Sequence, residues 1–352
     1  MENKSIDLNG IRIGKNNPPF IIAEMSGNHM GSFERAKKII EEVAKSKAQA
    51  IKLQTYTADT MTIDIREREF YIEDDKSIWN HRSLYDLYNE AHTPWDWHSD
   101  LFEYARSLGL IAFSTPFDST AVDFLENLNV PMYKIASFEI TDLDLIEKVA
   151  STGKPVIIST GMATISEIAE AVSTAKKSGC SNLILLKCTS SYPATAEDAN
   201  LTTIPHLGEI FECQVGISDH TLGIGVSIAA VSFGATVIEK HITLNRNDGA
   251  VDSLFSLEPS ELKNLVIESD LARKSVGSVN YGPLQNEELS KSHRRSLYIV
   301  KNLKKGDELD NSNLRAIRPG KGLEVKFRKN LIGKKVKKDI KIGTPASWDL
   351  FE

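Results

Sequence analysis

Eight short apolar runs, rich in Ile, Val and Leu, recur through the first 242 residues: Phe20–Glu24, Ala50–Tyr56, Ile111–Phe117, Met132–Ser137, Val156–Thr160, Leu183–Thr189, Val215–His220 and Thr236–Ile242. Stretches with apolar residues at helical spacing lie between them, such as Ser32–Ser46 with its Ser start and the Ala/Ile/Val-rich Leu222–Gly234. A strand apolar on both sides must be covered on both sides, and strands joined through helices pair in parallel by right-handed crossovers. Eight such units over about 260 residues point to a (β/α)8 TIM barrel. A doubly wound open sheet is the alternative, but no Gly-x-Gly-x-x-Gly turn follows the first strand.

A barrel of this kind carries its chemistry at the carboxyl ends of its strands. Side chains alternate along a strand, so residues two apart share a face. The ends offer Glu24; Lys52 with Gln54; Thr115; Ser137 with Glu139; Ser159; Ser190 with Tyr192; Ser218 with His220; and Glu239 with His241. All eight strands supply a polar group there. Lys134 joins them, whereas Lys187 has the parity opposite to Ser190 and Tyr192 and is set aside.

His220 and His241 end two neighbouring strands of one strand–helix–strand unit. A single histidine is ordinarily structural, but two at equivalent positions can share a metal ion. Two imidazole ligands leave coordination positions open, which suits a catalytic ion. Hydroxyl and ammonium groups donate hydrogen bonds without adding negative charge, so Lys52, Thr115, Lys134, Ser137, Ser159 and Ser218 would cradle phosphate and carboxylate. The hydroxyls could instead cap helices. Glu24, Glu139 and Asp252 could move protons or anchor sugar hydroxyls, with the anchor role preferred for Asp252.

Residues 57–97 interrupt the alternation with charge and with Trp79, Tyr85, Tyr88, Trp95 and Trp97. A segment that long is usually functional, although aromatics also serve to pack it down. After a helix at Ser260–Lys274, residues 278–292 read as a linker, giving a barrel over 1–277 and a β-rich module with Gly-marked turns over 293–352.

From Asn286 onward there are 17 Lys and Arg against 9 Asp and Glu, about +8, and the preceding residues carry about -14. That asymmetry favours docking of one part on another, or of the tail on an anionic substrate. No recognition helix or aromatic stacking set points to nucleic acid. No apolar run reaches a membrane span, the start does not read as a signal peptide, and three cysteines argue against a disulfide framework. The expected setting is the cytoplasm.

The ordered motifs Ile-Ile-Ala-Glu24, Asn28-His29, Lys52-x-Gln54, Phe-Ser-Thr115-Pro-Phe, Tyr-Lys134-Ile-Ala-Ser137-x-Glu139, Ser159-Thr-Gly-Met, Cys188-Thr-x-x-Tyr192-Pro, Ser218-Asp-His220-Thr and Glu239-Lys-His241 together resemble the sialic acid synthase family. The last 60 residues resemble its antifreeze-like (SAF) domain through Arg318-Pro-Gly-x-Gly. Ser83-Leu-Tyr-Asp-Leu-Tyr, Thr93-Pro-Trp-x-Trp and Gly249-Ala-Val-Asp252 are similar to the branch that makes pseudaminate, and Ser190–Ser191 stand where the family has Asn before its Tyr-Pro step. The resemblance implies condensation of phosphoenolpyruvate with an open-chain amino sugar, here 2,4-diacetamido-2,4,6-trideoxy-altrose. It implies a divalent metal, Mn²⁺ or Mg²⁺, on His220 and His241. It sets Glu24, Gln54, Glu139, Tyr192 and Asp252 toward the sugar. It also implies a homodimer whose antifreeze-like domain brings Arg318 into the partner's site. N-acetylneuraminate or legionaminate synthesis by the same chemistry is the nearest alternative. A Schiff-base aldolase using Lys134 and a non-catalytic sugar- or ice-binding protein are more remote.

Overall fold

The computed structural model describes residues 4–75 and 77–352. They form two compact units that divide between Gly277 and Ser278. The first opens with an antiparallel hairpin, β1 (Ile6–Leu8) and β2 (Ile11–Ile13). Eight parallel strands follow: β3 (Phe20–Glu24), β4 (Ala50–Thr55), β5 (Ile111–Pro116), β6 (Tyr133–Ile135), β7 (Val156–Ser159), β8 (Leu183–Cys188), β9 (Gln214–Ser218) and β10 (Val237–His241). Each pairs with the next and β10 pairs with β3, so the sheet closes. The (β/α)8 barrel expected from the alternation is the fold observed. Several strands stop one or two residues early, and His220 lies two residues beyond β9 rather than within it.

The helices follow from their sequences. α1 (Phe33–Ser46) buries Ala36, Ile39, Ile40 and Val43, one stripe at i, i+3, i+4 and i+7, and Ser32 Oγ caps it by accepting from Arg35 N. Each such buried Ile or Val contributes roughly 1.5–3 kcal/mol. α2 (Ala58–Met61), α3 (Leu84–Ala91) and α4 (His98–Ser107) precede β5. α5 (Ser119–Asn127) starts at Asp118, and α6 (Leu143–Ala150) at Asp142. α7 (Ile165–Lys177) opens with a Thr164–Glu167 capping box. α8 (Thr203–Phe211), α9 (Gly225–Ser232) and α10 (Pro259–Val276) complete the unit.

Glycine is required where β9 meets β10. A Cβ on Gly216 would lie 2.1 Å from Val237 O and 2.8 Å from Leu186 Cδ2. The hairpin closes the amino ends of the strands, where Gln214 Nε2 donates to Lys4 O at 2.9 Å and Ile13 is fully buried. That leaves the carboxyl ends for chemistry.

The insertion is built from short helical pieces. Arg66 places two hydrogen bonds on Asp86, at 3.1 and 3.0 Å. Trp95 stacks on Phe124 at 4.6 Å and donates to Tyr56 O. Ser83 Oγ caps α3.

In the second unit, residues 278–292 are not plain linker but include α11 (Glu288–Lys291). β11 (Ser296–Ile299) and β12 (Leu314–Ile317) pair antiparallel over a core that includes Leu309, Leu331 and Val336, with α12 (Arg328–Leu331) alongside. Beyond that pair, the β-rich character expected of this module consists, among the described residues, of single bridges such as Leu303–Ile340 and Val336–Phe351. Gly306, Gly333 and Gly343, at φ 93°, 84° and 86°, turn the chain before longer ladders can form. Among the described residues no helix is long and apolar enough to cross a membrane.

Candidate active site

Register brings the charged groups together. His241 pairs with Glu24 across β10 and β3, and Glu24 with Lys52 across β3 and β4, so three polar side chains stand at one level of the barrel. Gln54 is level with Thr115 on β5. Lys52 Nζ contacts Glu24 Oε2, donates to Thr115 Oγ1 at 3.0 Å, and lies 3.7 Å from Glu239 Oε2. Lys134 Nζ is 3.6 Å from Glu239 Oε1 and donates to Ile135 O at 3.1 Å. Ser218 Oγ donates to Glu239 Oε1 at 2.9 Å. Glu24, Lys52, Lys134 and Glu239 are all buried. Two ammonium groups and two carboxylates thus share one dry space, where each charge depends on the others. Burial pulls the Lys52 ammonium down to about 7, with Glu239 opposing and Lys134 assisting. Burial would raise the Glu239 carboxyl, but Lys134, Lys52 and the Ser218 hydroxyl hold it below its ordinary value.

Beside them is a pocket of hydroxyls. Ser137 Oγ accepts from Gly161 N at 3.1 Å and is hydrogen-bonded to the Cys188 thiol. Among the described residues the buried Ser159 Oγ has no hydrogen-bond partner. A Cβ on Gly161 would lie 2.2 Å from Ser190 Oγ and 2.8 Å from Ser137 Oγ, so glycine keeps this space open. Neutral hydroxyls that can donate, Ser159 foremost, suit an anion's oxygen atoms.

The two histidines face each other with ring centroids 5.4 Å apart. His220 Nδ1 donates to Thr189 O at 3.1 Å, which directs Nε2 as the free acceptor nitrogen. His241 Nδ1 has no hydrogen-bond partner and stands 3.8 Å from Asp252 Oδ2. Burial, then His220 and the nearby ammonium groups, hold His241 neutral, well below its ordinary range. Burial raises the Cys188 thiol, but His220, whose Nδ1 is 3.8 Å from Sγ, outweighs it and brings the thiol to about 7. Burial would lower His220, but the Cys188 thiol and the Thr189 carbonyl raise it above its ordinary value. Two adjacent imidazoles, one oriented by a backbone carbonyl, fit a divalent ion that would displace the His220 proton. Among the described residues no set of three His, Cys, Asp or Glu side chains could hold one, so water and substrate would fill the other positions.

An aromatic wall flanks the histidines. Tyr192 lies 4.6 Å from His220 and 5.3 Å from Phe255, and Phe255 lies 4.9 Å from His241. Asp252, buried and with its carboxyl raised by that burial, accepts from Ser26 Oγ. Asn28 Nδ2 donates to Ile242 O and Ser256 Oγ, tying the loops after β3 and β10 together. Behind His220, Lys240 Nζ bridges Asp219 Oδ2 and Thr221 O, the residues on either side of that imidazole.

Glu24, Lys52, Thr115, Lys134, Ser137, Ser159, Ser218, His220, His241, Tyr192 and Asp252 therefore belong to one mouth, together with half-buried Gln54, Glu139 and Ser190. Burial raises Glu139 to about 7 against the pull of Lys134, and its Oε2 has no hydrogen-bond partner. Lys187 Nζ instead donates to Cys188 O and Thr189 Oγ1, in keeping with its opposite parity. Arg318 follows β12 in the second unit and is exposed.

Sequence reasoning left Glu239 as a strand-end residue although it binds both lysines; its parity with His241 was the available signal. Ser26 and Phe255 carried none, since each lies in a single short turn of 3-10 helix with no periodic pattern.

Residues 39–281 match the NeuB family and residues 294–352 the SAF domain. The chain is 44% identical to the pseudaminic acid synthase of Helicobacter pylori over 95% of its own length and 98% of that protein. It is 36% identical to an N,N'-diacetyllegionaminic acid synthase of Legionella pneumophila, over 98% of each. The crystal structure of a sialic acid synthetase from Leptospira borgpetersenii superposes with a TM-score of 0.74 at 37% identity, covering 82% of this chain and 95% of that one. The barrel, the polar mouth and these relatives agree: the chain is an enzyme of the NeuB family, the sialic acid synthases, followed by an SAF domain.

Proposed function

We propose that the enzyme is a pseudaminic acid synthase, condensing phosphoenolpyruvate with open-chain 2,4-diacetamido-2,4,6-trideoxy-altrose. The observation that carries the reading is the grouping of Lys52 and Lys134 about Glu239 at the barrel mouth that also holds the Ser137 and Ser159 hydroxyls and two neighbouring imidazoles. Identity to relatives named pseudaminic acid synthases supports the choice of sugar.

In this reading Lys52, Lys134, Thr115, Ser137, Ser159 and Ser218 hold the phosphate and carboxylate of phosphoenolpyruvate and fix its methylene carbon. His220 and His241 would hold Mn²⁺ or Mg²⁺, which when bound polarises the sugar aldehyde as a Lewis acid. Glu24, Gln54, Glu139, Tyr192 and Asp252 hold the sugar. The methylene carbon attacks the aldehyde carbon, forming the C–C bond, and the aldehyde oxygen takes up a proton. Water adds to the cationic carbon left behind and gives up a proton; phosphate then departs with C–O cleavage. Glu139, raised to about 7 by burial, suits the proton transfers. Glu24 is engaged by Lys52 and by Ser26 N, which suits an anchoring and charge-balancing role. Lys134 is engaged by Glu239 and the Ile135 carbonyl, which disfavours its use as a Schiff-base nucleophile.

We also propose a homodimer in which the basic SAF domain caps the partner's acidic barrel and Arg318 reaches its sugar. Phe138, Met162, Leu222 and Leu254 lie exposed on loops at the carboxyl face, a rim suited to being covered.

The test is phosphate release from phosphoenolpyruvate, with and without Mn²⁺. It compares the altrose sugar, N-acetylmannosamine and the manno-configured legionaminate precursor. Metal-dependent release with the altrose sugar alone is expected. Preference for another sugar moves the specificity, and no release with any of them overturns the reaction.

A further inference from the structure

Trp79 carries the aromatic content of the insertion to the sugar side of the mouth. Its ring lies 5.5 Å from Tyr192, tilted by 49°, and its Nε1 donates to Val251 O at 3.0 Å, one residue before Asp252. It therefore contacts Tyr192 and holds the backbone beside Asp252, two of the five side chains assigned to the sugar. Tyr192 continues the surface inward to His220, and Phe255 carries it to His241. The rings run as one wall from the imidazoles outward to residue 79.

The chemistry of that wall differs from the floor. The floor is lysine, carboxylate and serine, whereas the indole N–H is already used on a backbone carbonyl. What Trp79 presents to a ligand is carbon, with no donor left to reward a hydroxyl. With the aldehyde at the imidazoles, the far end of an open-chain sugar lies along this wall. There a methyl group is favoured and a hydroxyl loses its water without replacement.

We propose that Trp79 is a specificity-determining residue that packs against the apolar far end of the sugar, the deoxy C6 methyl and the 4-acetamido methyl. This inference rests on the reading of function above. Discrimination by a methyl in an apolar site is about 10- to 200-fold.

The experiment compares wild type, Trp79→Ala and Trp79→Phe with the diacetamido-trideoxy-altrose and with N-acetylmannosamine, which has hydroxyls at both positions. Trp79→Ala is expected to lower kcat/KM for the altrose sugar about tenfold or more, to leave the KM for phosphoenolpyruvate within about twofold, and to narrow the preference over N-acetylmannosamine. Trp79→Phe keeps a ring face without the Val251 bond and should restore most of that loss. Equal losses for both sugars, or a parallel rise in phosphoenolpyruvate KM, would assign Trp79 a purely structural role and overturn the inference. Saturation-transfer NMR supplies a readout without turnover. If the wild type turns over none of the sugars, the functional reading fails. The wall is then judged by whether the sugar's methyl signals show protein contact in wild type and lose it in Trp79→Ala; unchanged signals overturn it.

Discussion

Removing Asp219 should destabilise the barrel more than removing its partner Lys240, and removing both should recover part of the loss. Asp219 accepts from Thr221 N at 2.9 Å, Thr221 Oγ1 at 2.7 Å, Ser227 Oγ at 2.5 Å and Lys240 Nζ at 3.1 Å. Lys240, whose side chain is 0% exposed, also donates to the Thr221 carbonyl. Lys240→Met leaves the carboxylate with three donors and removes one charge-assisted bond, about 1.5–3 kcal/mol. Asp219→Ala strands a buried ammonium with one acceptor, about 3–5 kcal/mol. The double variant strands no charge and should be about 2 kcal/mol more stable than Asp219→Ala. Urea unfolding followed by far-UV circular dichroism measures this, with the slope checked for constancy. A double variant no more stable than Asp219→Ala would refute the argument from stranded charge. Because these residues flank His220, all three variants should also bind Mn²⁺ more weakly, which titration of the paramagnetic ion reports.

Gly161→Ala should raise the KM for phosphoenolpyruvate at least tenfold, since its Cβ would occupy the space between Ser190 Oγ and Ser137 Oγ; initial rates at saturating sugar measure this, and an unchanged value would remove those serines from the cradle. Glu139 holds its proton up to about 7 in the fold but loses it near 4.5 when unfolded, so the folded state binds more protons between those values and stability falls as pH rises through them. Glu139→Gln should flatten that decline in denaturation curves taken across the window. Arg318→Ala should raise the sugar KM while leaving the melting temperature unchanged, and an unaltered sugar KM would count against a role at the partner's mouth. Chelation should abolish phosphate release, and His241→Ala should not regain it with added Mn²⁺.

The strands were legible because barrel strands are buried on both sides, so Phe20–Glu24 and Val156–Ser159 stand out as unbroken apolar runs. Strand parity then located Lys52, Thr115 and Ser159, because the pleat fixes which way a side chain points. It could not weigh charge. That Glu239 balances Lys52 and Lys134 depends on register between β10, β4 and β6, which no local pattern records. The brace between Lys240 and Asp219 was hidden for the same reason, since outward residues of neighbouring strands meet only once the sheet is closed. In the second unit the β-rich reading overstated the ladders, because the glycine turns cut much of the pairing to single bridges. The insertion was least legible, since its short helices are held by particular contacts such as Arg66 with Asp86 rather than by periodicity.

The floor of the mouth is carried by strand ends, whereas Trp79 hangs from a surface segment joined to the rim through Val251. On the role proposed for Trp79, one determinant of sugar choice is inherited on a stretch of chain separate from the floor. Exchange or lengthening of residues 57–97 would then shift the preferred sugar while the strand-end groups pass through unaltered.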